Sequence, residues 1–147
     1  MRIPQLSLFV ENQPGHLLVP CKLLAEAGIN ILTLSLADTQ QFGILRLMVR
    51  EWQRAREVLE AAGLVVAVTE VLALEIRDEP GGLLELLSVF ERAKVNVEYM
   101  YAFSSRLGNS AMMVFRFDNI DVAISALTRA AINPVSPINL YDRLEEE

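Results

Sequence analysis

Leu6, Leu8 and Val10 alternate with Ser7 and Phe9, and after Asn12-Gln-Pro14-Gly15 the period changes, so that Leu17, Cys21 and Leu24 recur at helical spacing. A period of two predicts a strand with one buried face, and a period near 3.6 predicts an amphipathic helix packed on it. The same change of period occurs later. Leu72, Leu74 and Ile76 alternate with Ala73 and Glu75, then Leu83, Leu87 and Phe90 follow at helical spacing. Further strands are predicted at residues 29–36 and 95–103, and again at 44–49 and 111–117. Second helices fit residues 53–62 and 121–131. Closing strands fit residues 64–69 and the segment around 135–140. The order βαββαβ, twice over, predicts an α+β protein of two ferredoxin-like units, each an antiparallel sheet with both helices on one face.

The two halves are copies in sequence as well as in pattern. Val10-Glu-Asn-Gln-Pro-Gly-His-Leu-Leu18 matches Ile76-Arg-Asp-Glu-Pro-Gly-Gly-Leu-Leu84 at an offset of 66 residues, and the register holds through Ile29/Val95, Asn30/Asn96 and Ile31/Val97. After the loops at residues 38–43 and 104–110 it slips by two, pairing Ala55 with Ala123 and Leu59 with Leu127. Domain boundaries at 1–69 and 70–147 follow. The run Val65-Val-Ala-Val-Thr-Glu-Val-Leu-Ala-Leu-Glu-Ile76 joins them without Gly or Pro. A rigid junction is therefore expected rather than a flexible linker. Units of about 70 residues have marginal cores, so further burial is expected where domains pair and in a homodimer. Phe9, Met48, Tyr99, Tyr101 and Phe103 are the apolar residues expected to supply it.

Composition narrows the partners. The chain carries 13 basic and 19 acidic side chains, a net charge of −6, with 52% hydrophobic residues. No cationic patch is available to displace counterions from a phosphate backbone, so nucleic acid is not an expected partner. No apolar run approaches the roughly 18 residues of a membrane span, and the first residues lack a signal-peptide core. The single cysteine, Cys21, excludes an intrachain disulfide and makes a reducing cytoplasm the expected compartment.

The chemistry concentrates in the turn between the first strand and first helix of each copy. Pro14 and Pro80 fix φ at the approach to a helix, while Gly15, Gly81 and Gly82 let the backbone come close to a neighbour or a ligand. The N–H groups of a first helical turn suit a carboxylate. Asn12 or Asp78 just upstream can accept from an ammonium group, and an α-amino acid presents both charges on one carbon. The same residues also make a good turn and cap without any ligand.

The D/N-x-x-P-G-x-L turn, with Ala-Gly-Ile-Asn-Ile31 and a second strand after it, resembles the ACT domain, a small ligand-sensing module of amino-acid metabolism. Leu34-Ser-Leu-Ala-Asp-Thr39, Phe42-Gly-Ile-Leu-Arg46 and Glu98-Tyr-Met-Tyr-Ala-Phe103 resemble proteins made of two tandem ACT domains, described as amino-acid-binding. The resemblance spans essentially the whole chain. It implies a regulatory, non-enzymatic protein that holds a free amino acid at ACT–ACT interfaces and passes occupancy on, with a metabolic enzyme as a further partner. Carried over position by position, it implies a ligand site at Asn12, Pro14, Gly15, His16, Leu17, Asn30 and Ile31 in the first copy. In the second copy the positions are Asp78, Pro80, Gly81, Gly82, Leu83, Asn96 and Val97. Asn30 and Asn96 also suit the left-handed end of a helix. Pro20 stands where the second copy has Leu86, so the first helix must begin late or kink. That irregularity makes the turn at Asp78–Leu83 the expected standard site.

No other constellation competes. His16 is the only histidine, which excludes a histidine-based metal cluster. Cys21 falls on the apolar stripe and is expected to be buried and inert. Ser104, Ser105 and Ser110 lack a histidine to activate them. The glycines match neither a P-loop nor a dinucleotide fingerprint. No catalytic residue, metal or cofactor is expected, and Glu145–Glu147 is expected to be a frayed acidic tail.

Overall fold

A computed structural model describes residues 1–38, 41–103 and 108–146. Eleven elements follow along these residues: β1 (Ile3–Glu11), α1 (Leu18–Glu26), β2 (Thr33–Asp38), β3 (Phe42–Met48), α2 (Trp52–Ala61), β4 (Val66–Arg77), α3 (Gly82–Arg92), β5 (Val97–Ala102), β6 (Ser110–Phe117), α4 (Ile120–Arg129) and α5 (Pro137–Glu145). They form two compact units, Pro4–Thr69 and Met1–Ile3 with the described part of Glu70–Glu147. Strand order is β2-β3-β1-β4 in the first and β4-β6-β5 in the second, with β1–β3, β2–β3, β4–β6 and β5–β6 each antiparallel. The α+β, ferredoxin-like pattern expected from the periodicity is what forms.

In the first unit Leu6, Leu8 and Val10 of β1 and Leu45 and Leu47 of β3 share one face of the sheet, where they meet Leu24 of α1 and Ala55 and Leu59 of α2. In the second, Leu72, Leu74 and Ile76 of β4 meet Phe90, Ala123 and Leu127 from α3 and α4. Phe90 lies 4.8 Å from Phe117 edge-on and 5.8 Å from Phe115, the tilted geometry that aromatic quadrupoles prefer.

Four helices stop in the same way. After α1, Ile29 N–H donates to Leu24 O (2.9 Å) across a left-handed Gly28; the bond from Val95 to Phe90 O (3.1 Å) spans Lys94, that from Leu64 to Leu59 O (3.2 Å) spans Gly63, and that from Ile132 to Leu127 O (2.9 Å) spans Ala131. This is the Schellman arrangement, with glycine in the first copy and a side chain in the second. The left-handed residues are thus Gly28 and Lys94. Asn30 and Asn96 lie two residues further on and do not end the helices.

Several expectations are corrected. The segment around residues 135–140 is not a strand. Val135 makes a single antiparallel bridge to Ala73, and Ser136 then caps α5 by accepting from Asn139 N–H (3.3 Å), with Pro137 at the first helical position. Ser-Pro is a helix start, and it outweighs the β-branched Val135 and Ile138. Arg143 of α5 reaches both oxygens of Glu75 at 3.3 Å. Because Glu75 alternates with Leu74 and Ile76, α5 meets the sheet face opposite to α3 and α4. The Arg143 contact, aided by Ser110, holds the Glu75 carboxyl below the usual carboxylate range against a smaller opposing effect of burial. Glu145 belongs to α5, while Glu147 lies outside the described residues.

Cys21 is exposed. α1 starts two residues later than α3 does in its own copy, which rotates Cys21 off the buried stripe and leaves Pro20 and Leu24 facing the core. Pro20 occupies the first turn, where a missing N–H costs no helical bond. Met48 and Phe103 are buried within the chain rather than left as open apolar surface, whereas Phe9 is 55% exposed and Tyr99 and Tyr101 are half-buried.

Candidate functional site

The two turns begin alike. Asn12 N–H donates to Gln41 O (3.1 Å) and Asp78 N–H to Asn109 O (2.9 Å), tying the end of each first strand to its neighbour. Gln13 N–H then reaches back to Glu11 O (3.0 Å), as Glu79 N–H does to Arg77 O (2.9 Å). Pro14 and Pro80 lead into Gly15 (φ +85°) and Gly81 (φ +88°), both left-handed and both with open space where a side chain would sit. Glycine is needed there for conformation, not for room.

Beyond the glycine the copies part. In the second, Gly82 opens α3, Glu85 N–H donates to Gly81 O (3.0 Å), and a Cβ on Gly82 would strike the carbonyl oxygen of Arg77. Gly82 is there because the helix start lies against the backbone of β4. His16 stands at the equivalent place in the first copy, and its bulk forbids that approach. Leu18 N–H instead closes a tighter turn on Gly15 O (3.1 Å) before α1 begins. His16 Nδ1 contacts Gln13 O, within the same turn.

Charge separates the turns further. Arg77 pairs with Glu79 (2.7 Å) and with Glu85 in the first turn of α3. At the equivalent places the first copy has Glu11, Gln13 and Val19, and no acid lies in the first turn of α1. Asn12, Gln13, Pro14, Gly15, His16, Leu17 and Leu18 line an open hollow of about 440 Å³, within the roughly 300–1,000 Å³ of small-molecule sites. The hollow at the second turn is about 160 Å³, lined by Arg77, Gly82, Glu85 and their neighbours.

Of the residues singled out in the sequence, Asn12, Pro14, Gly15, His16 and Leu17 therefore come together in one hollow, and Gly82 lines the smaller one. Asn30, Ile31, Asp78, Pro80, Gly81, Leu83, Asn96 and Val97 do not line either. Asn96 is bound to Asp118 by reciprocal bonds, its N–H to Oδ1 (3.0 Å) and its O from Asp118 N–H (3.1 Å). Gln13, Leu18, Arg77 and Glu85 were not singled out, although the repeat offset would have flagged Arg77 and Glu85 as charge differences between copies. Ser104 and Ser105 lie outside the described residues. A larger hollow, of about 690 Å³, lies along α4 and its cap, lined by Asn119, Asp121, Thr128, Arg129 and their neighbours, and holds none of the residues singled out in the sequence. Among the described residues no group of three or more His, Cys, Asp and Glu side chains is placed to hold a metal ion.

Two ferredoxin-like units, each opening on an Asx-Pro-Gly turn, define a duplicated small domain of regulatory type. The chain belongs to the ACT domain family: the model of an ACT domain pair matches residues 1–143. No curated protein matches the chain. Among solved structures it is similar to protein BT0572 from Bacteroides thetaiotaomicron, with 33% identity, 96% of each chain covered and a TM-score of 0.89. It shares its fold with the ligand-free regulatory subunit of aspartate kinase from Thermus thermophilus, at 17% identity, 86% of this chain and 91% of that one, and a TM-score of 0.61. The aspartate kinase from Synechocystis matches at 19% identity over 91% of this chain and 26% of that one, with a TM-score of 0.55. No helix among the described residues is long and apolar enough to cross a membrane.

Proposed function

We propose that this ACT domain pair is a non-enzymatic, cytoplasmic regulator that binds a free amino acid at ACT–ACT interfaces, through the turn that follows the first strand of a repeat. The observation that carries the proposal is the hollow lined by Asn12–Leu18. In it the backbone at Gly15 is open, and the Asn12 side chain offers a carbonyl to an ammonium group. The first copy is the better host, reversing the preference drawn from Pro20. At the second turn Glu85 already places a carboxylate at the start of α3, and Arg77 is engaged by two acids; a ligand carboxylate arriving there meets like charge. Binding regulates only by favouring one of two packings of the protein over the other.

Calorimetric titration of the protein with each of the twenty amino acids tests the proposal. Saturable binding of at least one, weakened about tenfold or more by Asn12→Ala, is the expected result. Binding of none removes the proposal.

A second reading is that the pair acts chiefly as a subunit pressed against a metabolic enzyme. The fold shared with a protein named as a regulatory subunit of aspartate kinase favours it. Affinity purification followed by mass spectrometry separates the two, since a self-sufficient sensor recovers no stoichiometric enzyme.

A further inference from the structure

In this acidic chain the basic side chains of the described residues are almost all engaged. Arg2, Arg56 and Arg143 pair with carboxylates, and Arg46 and Arg50 have interactions of their own. Among the described residues Arg92 and Arg129 are the two bases whose side chains make no ion pair or hydrogen bond. Both line one hollow of about 310 Å³ between α3 and α4, with Val89, Ala93, Ala126 and Ala130 and no acidic side chain. Arginine in the last turn of a helix ordinarily answers the open carbonyls there. Here those carbonyls are already taken. Ala93, Lys94 and Val95 N–H donate to Val89, Glu91 and Phe90 O, and Ala130, Ala131 and Ile132 N–H donate to Ala126, Thr128 and Leu127 O. The first copy has no counterpart: Glu26 and Ala61 stand at the equivalent positions, and Arg54 donates to Ala27 O (2.6 Å) where the second copy has Val122.

We infer that the hollow between α3 and α4 is a binding site for a small phosphate monoester, held by Arg92 and Arg129. Two guanidinium groups at one hollow with no acid leave two positive charges uncompensated, in a chain whose net charge is −6. A ligand group that carries two negative charges answers both. A phosphate monoester is close to doubly ionised at neutral pH, and its several oxygens accept from the paired N–H donors of two guanidinium forks at once. A single carboxylate brings one charge and suits one fork. Val89, Ala93, Ala126 and Ala130 supply an apolar floor for a small organic group beside the phosphoryl. The volume stands at the lower end for small-molecule sites, and two arginines are too few to neutralise a nucleic-acid backbone. The inference does not rest on the amino-acid proposal, because the hollow shares no residue with the one lined by Asn12–Leu18.

Titration of the ¹⁵N-labelled chain with phenyl phosphate at constant ionic strength, followed by nuclear magnetic resonance, tests it. Saturable binding with a Kd of about 1 mM or tighter is expected, with the amides of Ala93 and Ala130 among those that shift. Arg92→Gln and Arg129→Gln are each expected to weaken it about fivefold or more, and the double variant to abolish saturation. Both arginines are exposed, so neither substitution opens the core; far-UV circular dichroism establishes that each variant is folded. Arg56→Gln, which removes an exposed arginine paired with Glu60 in the first copy, is expected to leave the affinity unchanged. Succinate, with its two charges on separate carboxylates, is expected to bind about fivefold more weakly or less. No saturable binding of phenyl phosphate, affinity unchanged in both Arg92→Gln and Arg129→Gln, an equal loss in Arg56→Gln, or succinate bound as tightly each overturns the inference.

Discussion

Gly82→Ala separates two accounts of why a glycine opens α3. Helix propensity alone predicts a gain of about 0.5–1 kcal/mol, because Gly82 is helical and alanine is the better helix former. The contact geometry predicts the opposite. A Cβ at Gly82 meets the carbonyl of Arg77 and sits 3.4 Å from Ile76 Cγ2. The first of these is backbone, which cannot rotate aside, so the start of α3 must retreat from β4 by on the order of 1 Å. Leu86, Val89 and Phe90 are the buried side chains of that helix, and a gap opens beneath them. Overpacking of this kind costs about 1–3 kcal/mol, and looser contacts of Phe90 with Phe115 and Phe117 add to it. After the propensity gain is subtracted, the net destabilisation is about 2 kcal/mol. With a urea dependence of about 2 kcal/mol per molar, the unfolding midpoint falls by about 1 M. Urea titration followed by far-UV circular dichroism reads this directly. A variant within about 0.5 kcal/mol of the wild type, or more stable than it, refutes the reasoning and leaves Gly82 a replaceable remnant of the repeat.

Two other outcomes follow from the same structure. Lys94 and Ala131 hold φ of 58° at helix ends where the first copy uses Gly28 and Gly63, so Lys94→Gly and Ala131→Gly should each raise stability, by up to about 1 kcal/mol in thermal melts. The Glu75 carboxyl is held below its ordinary value of 4.5 by Arg143, so its pairing stabilises the folded chain at neutral pH and is lost as pH falls below about 4.5 through the lowered value. The difference in melting temperature between wild type and Glu75→Gln should accordingly shrink between pH 7 and pH 3.

Local physics left clear marks in the chain. Period-two runs at Leu6–Val10 and Leu72–Ile76, helical spacing at Leu83, Leu87 and Phe90, and a repeat offset of 66 residues determine a duplicated βαββαβ order, because each depends only on neighbours within a few positions. The Asx-Pro-Gly turns are legible for the same reason, and the left-handed Gly15 and Gly81 follow from them. Two features misled. Val135 and Ile138 look like a strand, but Ser136-Pro137 starts a helix that a bond from Arg143 to Glu75, 68 residues away, holds in place. Cys21 sits at the right spacing to be buried, yet a two-residue delay in α1 turns it to solvent.

What the sequence by itself determined, then, is the order of elements, the duplication and the chemistry available at each turn, since propensity, periodicity and turn residues act over short range. Tertiary structure alone decided which turn stays open. That choice rests on the carbonyl of Arg77 lying against Gly82, on Glu85 reaching Arg77 across the helix start, and on His16 keeping α1 away from its strand. All three are distances between elements, and no local pattern encodes them.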